Sequence, residues 1–403
     1  MTYVQKCVAY SALVILFPWL LIAADNSCCF DTVSRNATWT RRIADSFLLR
    51  HPDAVTYDTG FTEQKWNYEQ GLILWALYQT SVKTGDSRYF KFVEKNLDRY
   101  IDDDGRIATY RLTDYNLDLV APGRALLSVY EKTHREKFRR AADTLRLQLR
   151  EQPRTTEGGF WHKKIYPYQM WLDGLYMAEP FYGMYALLNK DTSAFDDIAN
   201  QFIWIAHHTR DDHTGLYYHG WDESKQQSWA NRLTGCSPSF WGRAMGWYAM
   251  GLVDVLDYFP NNHPQREALV AILRDVCTSI LKWRDSDSAL WYLVLDQGGR
   301  PGNYLESSSS GMFVYAMAKG ANKGYLERRY AVEAERSFNA LIDRQVNIDG
   351  CGFVDLLHTV KGAGLGGKPY RDGTFDYYVS EGQRTNDMKG IGPLLLAALE
   401  LEK

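Results

Sequence analysis

From about residue 38 onward, apolar residues recur at three- and four-residue spacing, segment after segment. This periodicity constrains the fold more than any other feature. A segment with one apolar stripe must bury it against another element, and here nearly every segment is helical. The spacing predicts helices near 38–50, 66–83, 87–101, 117–133, 135–150, 171–189, 194–209, 242–258, 264–283, 307–321, 326–345 and 388–402. Gly, Pro, Asp or Asn punctuates the connections.

Those connections are of two kinds. Thr84-Gly85-Asp86 and Asn189-Lys190-Asp191 are tight. The others are long and resemble one another: Asp104-Gly105-Arg106-Ile107, Gly158-Gly159-Phe160-Trp161, Thr214-Gly215-Leu216-Tyr217, Ser288-Ala289-Leu290-Trp291 and Asp349-Gly350-Cys351-Gly352-Phe353. Each sets a turn dipeptide before an apolar or aromatic pair, as in a short strand after a turn. The recurrence is an internal repeat at low similarity. Twelve helices with alternating short and long connections imply six helical hairpins closed in a ring. The expected fold is an all-α (α/α)6 barrel with short strands in the long loops, which gather at one mouth. An open solenoid is the rival, and its repeats would be more uniform. No strong boundary divides the helices, so residues 25–403 read as one domain.

Residues 1–24 read as an export signal: Lys6 precedes an apolar run from Val8 that ends at Ile22-Ala23-Ala24. A signal anchor is the alternative. The only N-glycosylation sequon, Asn36-Ala37-Thr38, agrees with secretion. Cleavage after Ala24 leaves Cys28, Cys29, Cys236, Cys277 and Cys351, an odd number with no zinc spacing. One bridge from the Cys28/Cys29 pair to the body is expected, with no functional role for the thiols. Net charge is -3, so no basic field exists for nucleic acid. The 13 Trp and 27 Tyr fill a large core or line a carbohydrate cleft; buried, their polar edges need partners in either case.

Three segments carry polar residues into aromatic-rich helix starts, where the proposed ring has its mouth. They are Asn116 to Arg124, Tyr166 to Met177 and Phe240 to Tyr248. An isolated Asp at a helix start is ordinarily a cap. Asp118 and Asp173 are less ordinary because aromatic and apolar residues surround them. A carboxyl in an aromatic pocket loses hydration, which favours the neutral acid, while the helix dipole favours the anion. Which effect wins stays open at this point. Arg243, between Trp241 and Trp247, suits a buried pair with an inner Asp or a substrate carboxylate. His162 and His219 each lie beside aromatics, although a lone His is more often structural. There is no HExxH, P-loop, dinucleotide fingerprint or GxSxG elbow. The run Gly362 to Gly367 reads as a flexible loop over the mouth.

These segments resemble the unsaturated rhamnogalacturonyl hydrolases, glycoside hydrolase family 105, and the related unsaturated glucuronyl hydrolases of family 88. The resemblance rests on Met170-Trp171-Leu172-Asp173-Gly174-Leu175-Tyr176-Met177-Ala178 and Phe240-Trp241-Gly242-Arg243-Ala244 with Gly246-Trp247. Asn116 to Arg124, Tyr218-His219-Gly220-Trp221-Asp222 and Arg384-Thr385-Asn386-Asp387 add support, and the likeness spans about residues 40–402. Ser380 to Gln383, before Arg384, depart from the family pattern.

The resemblance implies hydrolysis without metal or cofactor of an oligosaccharide ending in a 4,5-unsaturated uronic acid. It implies Asp173 as acid/base and Asp118 as a second acid that tunes or assists it. His219, Arg243 and Trp247 would line the unsaturated sugar, with Trp171 and His162 elsewhere in the cleft. The expected protein is a secreted monomer that binds neither nucleic acid nor, stably, a membrane. Its expected substrate is a rhamnogalacturonan fragment. The alternatives are a glucuronyl substrate from ulvan or a glycosaminoglycan, and a non-catalytic sugar binder. A helical-toroid isomerase would usually rely on paired His acid/bases, which the His positions here do not force.

Overall fold

The computed structural model describes residues 32–57 and 65–402. The expected export signal, Cys28 and Cys29 lie outside the described residues. Thirteen helices occur among the described residues: α1 (Trp39–Arg50), α2 (Tyr68–Thr84), α3 (Ser87–Tyr100), α4 (Gly123–Thr133), α5 (Glu136–Glu151), α6 (Leu172–Asn189), α7 (Ala194–Thr209), α8 (Gly242–Val255), α9 (Arg266–Lys282), α10 (Ser307–Asn322), α11 (Arg328–Gln345), α12 (Phe375–Ser380) and α13 (Met388–Leu401).

Six of them form a closed inner ring. In order α2, α4, α6, α8, α10 and α13 each pack on the next, and α13 packs back on α2. The outer helices α3, α5, α7, α9 and α11 each pack on the preceding inner one, and α1 packs on α13 and α2. This is the (α/α)6 barrel. The two layers differ in sequence because they differ in exposure. Every residue of α8 is buried, so it is mostly apolar or small, and its two charged residues, Arg243 and Asp254, are both ion-paired. The outer α3 buries only one face, through residues such as Tyr89, Phe92, Val93 and Leu97. Glycines let inner helices approach closely: a Cβ at Gly251 would lie 3.1 Å from the backbone N of Tyr176.

The repeated loop motif follows the outer helices. After α3 the bridge Ile101–Ile107 closes a turn, after α5 Arg154–Phe160, and after α7 Arg210–Tyr217. After α9 the Asp285 N–H donates to Leu290 O across 2.9 Å. After α11 the turn grows into an antiparallel pair, Val346–Ile348 with Val354–Leu356. The turns need left-handed backbone, which Gly105 (φ 85°) and Gly215 (φ 76°) adopt freely. Ala289 takes the equivalent conformation (φ 57°) without that freedom.

Two elements differ from the sequence expectation. The segment beginning at 117 opens with a 3-10 turn, Leu117–Leu119, and the α-helix starts only at Gly123. Pro122 lacks an N–H and restrains the residue before it, so the helix cannot run back through that point. The short α12 was not foreseen, since six residues are too few to display a period; Thr374 caps it by accepting from Tyr377 N–H.

Deeper in the ring, a buried ionic cluster ties four inner helices together. Asp254 accepts from Arg124, Tyr315 and Lys319, each at 2.6 Å. Arg124 also donates to the Tyr176 hydroxyl at 3.0 Å. Cys351 is disulfide-bonded, whereas Cys236 and Cys277 are free and buried. Among the described residues no helix is long and apolar enough to cross a membrane.

Candidate active site

The N-termini of the inner helices α2, α6 and α8 converge on one cavity of about 260 Å³, and their first turns supply Tyr68, Asp173 and Arg243 to its wall. Asp118 enters from the 3-10 turn ahead of α4. The positive ends of several helix dipoles therefore face the cavity, a setting that favours anionic ligands.

Two strand pairings place the chemistry. The strand Gln169–Trp171 runs straight into α6 and pairs antiparallel with Gly220–Asp222, with Trp171 opposite Gly220. Leu172 N–H donates to His219 O at 3.0 Å. This register sets the His219 ring beside Asp173, with Nε2 3.1 Å from Oδ2. The approach is off the line of a hydrogen bond, and both atoms retain bonding capacity. The other ring nitrogen, Nδ1, lies 2.7 Å from the hydroxyl of Tyr378 on α12. Burial pushes the Tyr378 phenol well above its ordinary value, so it keeps its proton. Donating that proton to Nδ1 leaves the His219 proton on Nε2, facing Asp173.

A bridge between Asn116 and Lys163 brings the second acid to its partners. Asp118 accepts from Lys163 Nζ, and His162 Nε2 is 3.4 Å away. Burial pushes the Asp118 carboxyl up, but the Lys163 and His162 side chains outweigh it and hold Asp118 well below the usual range. Lys163 is the charge that counts. Burial pushes the His162 imidazole down despite the neighbouring carboxylate, so it is neutral near pH 7. The question left open by the sequence is settled for Asp118 by a cation.

Arg243 departs from the expectation of an inner Asp. Its Nε donates to Ser308 Oγ at 2.7 Å, and Nη2 lies 3.4 Å from Glu306 Oε1 and also donates to Val360 O. Glu306 suits the pairing because it caps α10, accepting from Ser309 N–H at 2.7 Å, and is wholly buried. Nη1 of Arg243 and Nε1 of Trp241 are buried without protein partners, and both residues line the cavity. Trp247, one turn along α8, packs edge-on to Tyr68. The Trp171 ring is stacked on both His162 and Tyr166, at centroid distances of 4.6 and 4.8 Å.

Asp173, Asp118, His162, Trp171, Arg243 and Trp247 thus all line one cavity. His219 does not: it is fully buried behind Asp173, so its contact is with the acid rather than with the space a sugar would fill. Sequence reasoning missed Lys163, Tyr68, Tyr166, Glu306, Arg371 and Tyr378. Lys163 adjoins His162 and Tyr166 opens a segment already singled out, so both were findable; Tyr68 at the start of α2, Glu306 capping α10, Arg371 and Tyr378 on α12 carry no local pattern. The glycine run is at the mouth, with Gly362 and Ala363 on the cavity wall. It is anchored there by Leu365, which is fully buried. Among the described residues no cluster of His, Cys, Asp or Glu could hold a metal ion.

The family model described as Glycosyl Hydrolase Family 88 matches residues 39–403. This chain belongs to that family. A solved family 105 glycoside hydrolase of C. acetobutylicum ATCC 824 is similar, with 43% identity, a TM-score of 0.87 and coverage of 91% of this chain and 99% of that one. Protein Atu3128 of Agrobacterium fabrum is 40% identical over 56% of this chain and 97% of its own length. The unsaturated rhamnogalacturonyl hydrolase YesR of Bacillus subtilis is 27% identical over 72% of this chain and 79% of its own. The family 88 chain is accordingly a glycoside hydrolase, and its cavity is the candidate active site.

Proposed function

We propose that this family 88 enzyme releases a 4,5-unsaturated uronic acid from the non-reducing end of rhamnogalacturonan oligosaccharides, with Asp173 as acid and then base. One observation carries the reading. The two carboxyls in the cavity are not equivalent: Lys163 commits Asp118 as an anion, while among the described residues Asp173 has no lysine or arginine within ion-pairing distance and has His219 beside it. Ordinary glycosidases need two working carboxyls flanking an acetal bond. A single available acid suits a vinyl ether, which needs one proton on carbon.

In this mechanism Asp173 donates its proton to C4 of the C4=C5 double bond. Positive charge develops at C5 and is shared with the ring oxygen. Water attacks C5 as the Asp173 carboxylate takes its proton, which restores the acid. The hemiketal opens by breaking the C5–ring oxygen bond and leaves a ketone at C5. The hemiacetal at C1 then releases the alcohol of the leaving saccharide and becomes an aldehyde. The net change is addition of one water. His219 Nε2 lies 3.1 Å from Oδ2 of Asp173, which leaves Oδ1 for the moving proton. Arg243 Nη1 and Trp241 Nε1 are the unmet donors available to the uronate carboxylate. Asp118 and Lys163 offer a fixed ion pair to sugar hydroxyls.

The name of the Bacillus subtilis relative supports rhamnogalacturonyl over glucuronyl substrates. The test is the unsaturated galacturonyl-rhamnose disaccharide, followed by loss of ultraviolet absorbance from the conjugated double bond. Asp173→Asn should lower kcat by about 10²–10⁴-fold, the usual worth of a general acid. Turnover that survives this substitution would overturn the reading.

A further inference from the structure

Unsaturation erases the stereocentre at C4, so the terminal sugar is the same whether it began as galacturonate or glucuronate. The inner cavity cannot tell those sources apart by that carbon, and discrimination falls to the leaving saccharide. Resting on the function proposed above, we infer that a second cavity beside the first binds an anionic group on that leaving saccharide.

This outer cavity, of about 540 Å³, shares only Tyr166 and Arg371 with the inner one. Those two residues are hydrogen-bonded, Arg371 Nη2 donating to the Tyr166 hydroxyl at 2.8 Å. The pair forms the sill over which a saccharide leaves the inner cavity. Ile165, Gln169, Gln227 and Lys368 line the space beyond it, and no acidic residue does.

The charges of the two cavities differ in kind. Inside, Lys163 is paired with Asp118 and Arg243 with Glu306. Among the described residues, no carboxylate lies within ion-pairing distance of Arg371 or Lys368. Arg371 is held instead by neutral acceptors: its Nε donates to Gly366 O at 2.8 Å and its Nη2 to Leu365 O at 3.2 Å. The glycine run permits this embrace. A Cβ on Gly364 would lie 2.3 Å from Arg371 Nη1, and one on Gly367 would lie 3.1 Å from Nη2. The loop is therefore shaped around a guanidinium that keeps its full charge for a ligand. Two cations with no ion-pair partner among the described residues, in a cavity that no acid lines, favour a saccharide bearing a carboxylate or a sulfate ester.

Binding measured on the Asp173→Asn protein by titration calorimetry separates recognition from turnover. Three unsaturated oligosaccharides serve as probes: a disaccharide with neutral rhamnose, a tetrasaccharide carrying a second galacturonate, and a disaccharide with sulfated rhamnose. At least one charged probe should bind about three- to tenfold more tightly than the neutral one. Whichever does so names the anion as carboxylate or sulfate. The gap should shrink with added salt, and should close when Lys368→Gln or Arg371→Gln is added. Lys368 is exposed on the loop, so its variant folds even if the Arg371 variant does not. Equal affinity for all three probes, or a gap that persists in both variants, would overturn the subsite. If the gap appears but wild-type protein leaves every double bond intact, the subsite stands and the hydrolase reading falls.

Discussion

Asp173 in the first turn of α6 and Asp118 in the 3-10 turn ahead of α4 both reach the cavity, yet their neighbours give them different tasks. Lys163 fixes one as an anion; His219, oriented by Tyr378, attends the other. Tyr378→Phe keeps the ring and its stacking on Trp241 but removes the proton that selects the His219 tautomer. We expect kcat to fall about tenfold or more, with a displaced pH profile and little change in melting temperature. An unchanged profile would make the hydroxyl merely structural. Asp118 is held below its unfolded value. Its contribution to stability is therefore present above the unfolded carboxylate range, near pH 3.9, and is lost as pH falls below it. Lys163→Met raises the Asp118 value, so the variant should be less stable at pH 7 and lose less between pH 5 and 3. Urea midpoints across that range check the sign, and parallel curves for the two proteins would refute it. The cap reading of an Asp at a helix start could not separate these roles, because the deciding partners come from other loops.

At the scale of elements, the inner helices do two jobs. Their N-termini present the site, and deeper in the ring α4, α8 and α10 are held together by Asp254 with Arg124, Tyr315 and Lys319. Arg124, Asp254 and Lys319 are each at most 4% exposed. Lys319 keeps Asp257 at 2.7 Å, but removing the Asp254 charge leaves buried Arg124 without its carboxylate, so Asp254→Asn should cost about 3–5 kcal/mol. Denaturant unfolding would measure it; a cost under about 1 kcal/mol would show that the cluster is dispensable. The twelve long helices were legible from apolar period alone, and the turn repeat was legible from Gly and Asp before aromatic pairs. The late start of α4 was written in Pro122, although the period ran through it. The six-residue α12, which delivers Tyr378, had no such signal.

For the molecule as a whole, closure of the ring depends on the last helix. Ile391, Leu394, Leu395 and Ala398 of α13 are buried, and Lys389 joins Glu69 of α2 across the seam. A chain ending at Asp387 would expose the apolar flanks of both α2 and α10. We expect it to aggregate and to lack a cooperative melting transition, as judged by gel filtration and circular dichroism. A soluble, cooperatively folding truncation would argue for an open solenoid rather than a ring.

By itself the sequence determined the layers: period, punctuation and the loop repeat are local properties, and local patterns suffice to specify helices and their number. It also placed most of the cavity's chemical groups at helix starts, since those positions follow from where each helix begins. Only the tertiary structure decided which groups meet. Ring closure and strand register brought Lys163 to Asp118, Glu306 to Arg243 and Tyr378 to His219. Charge state and proton position depend on such contacts between residues far apart in the chain, where burial sharpens every interaction.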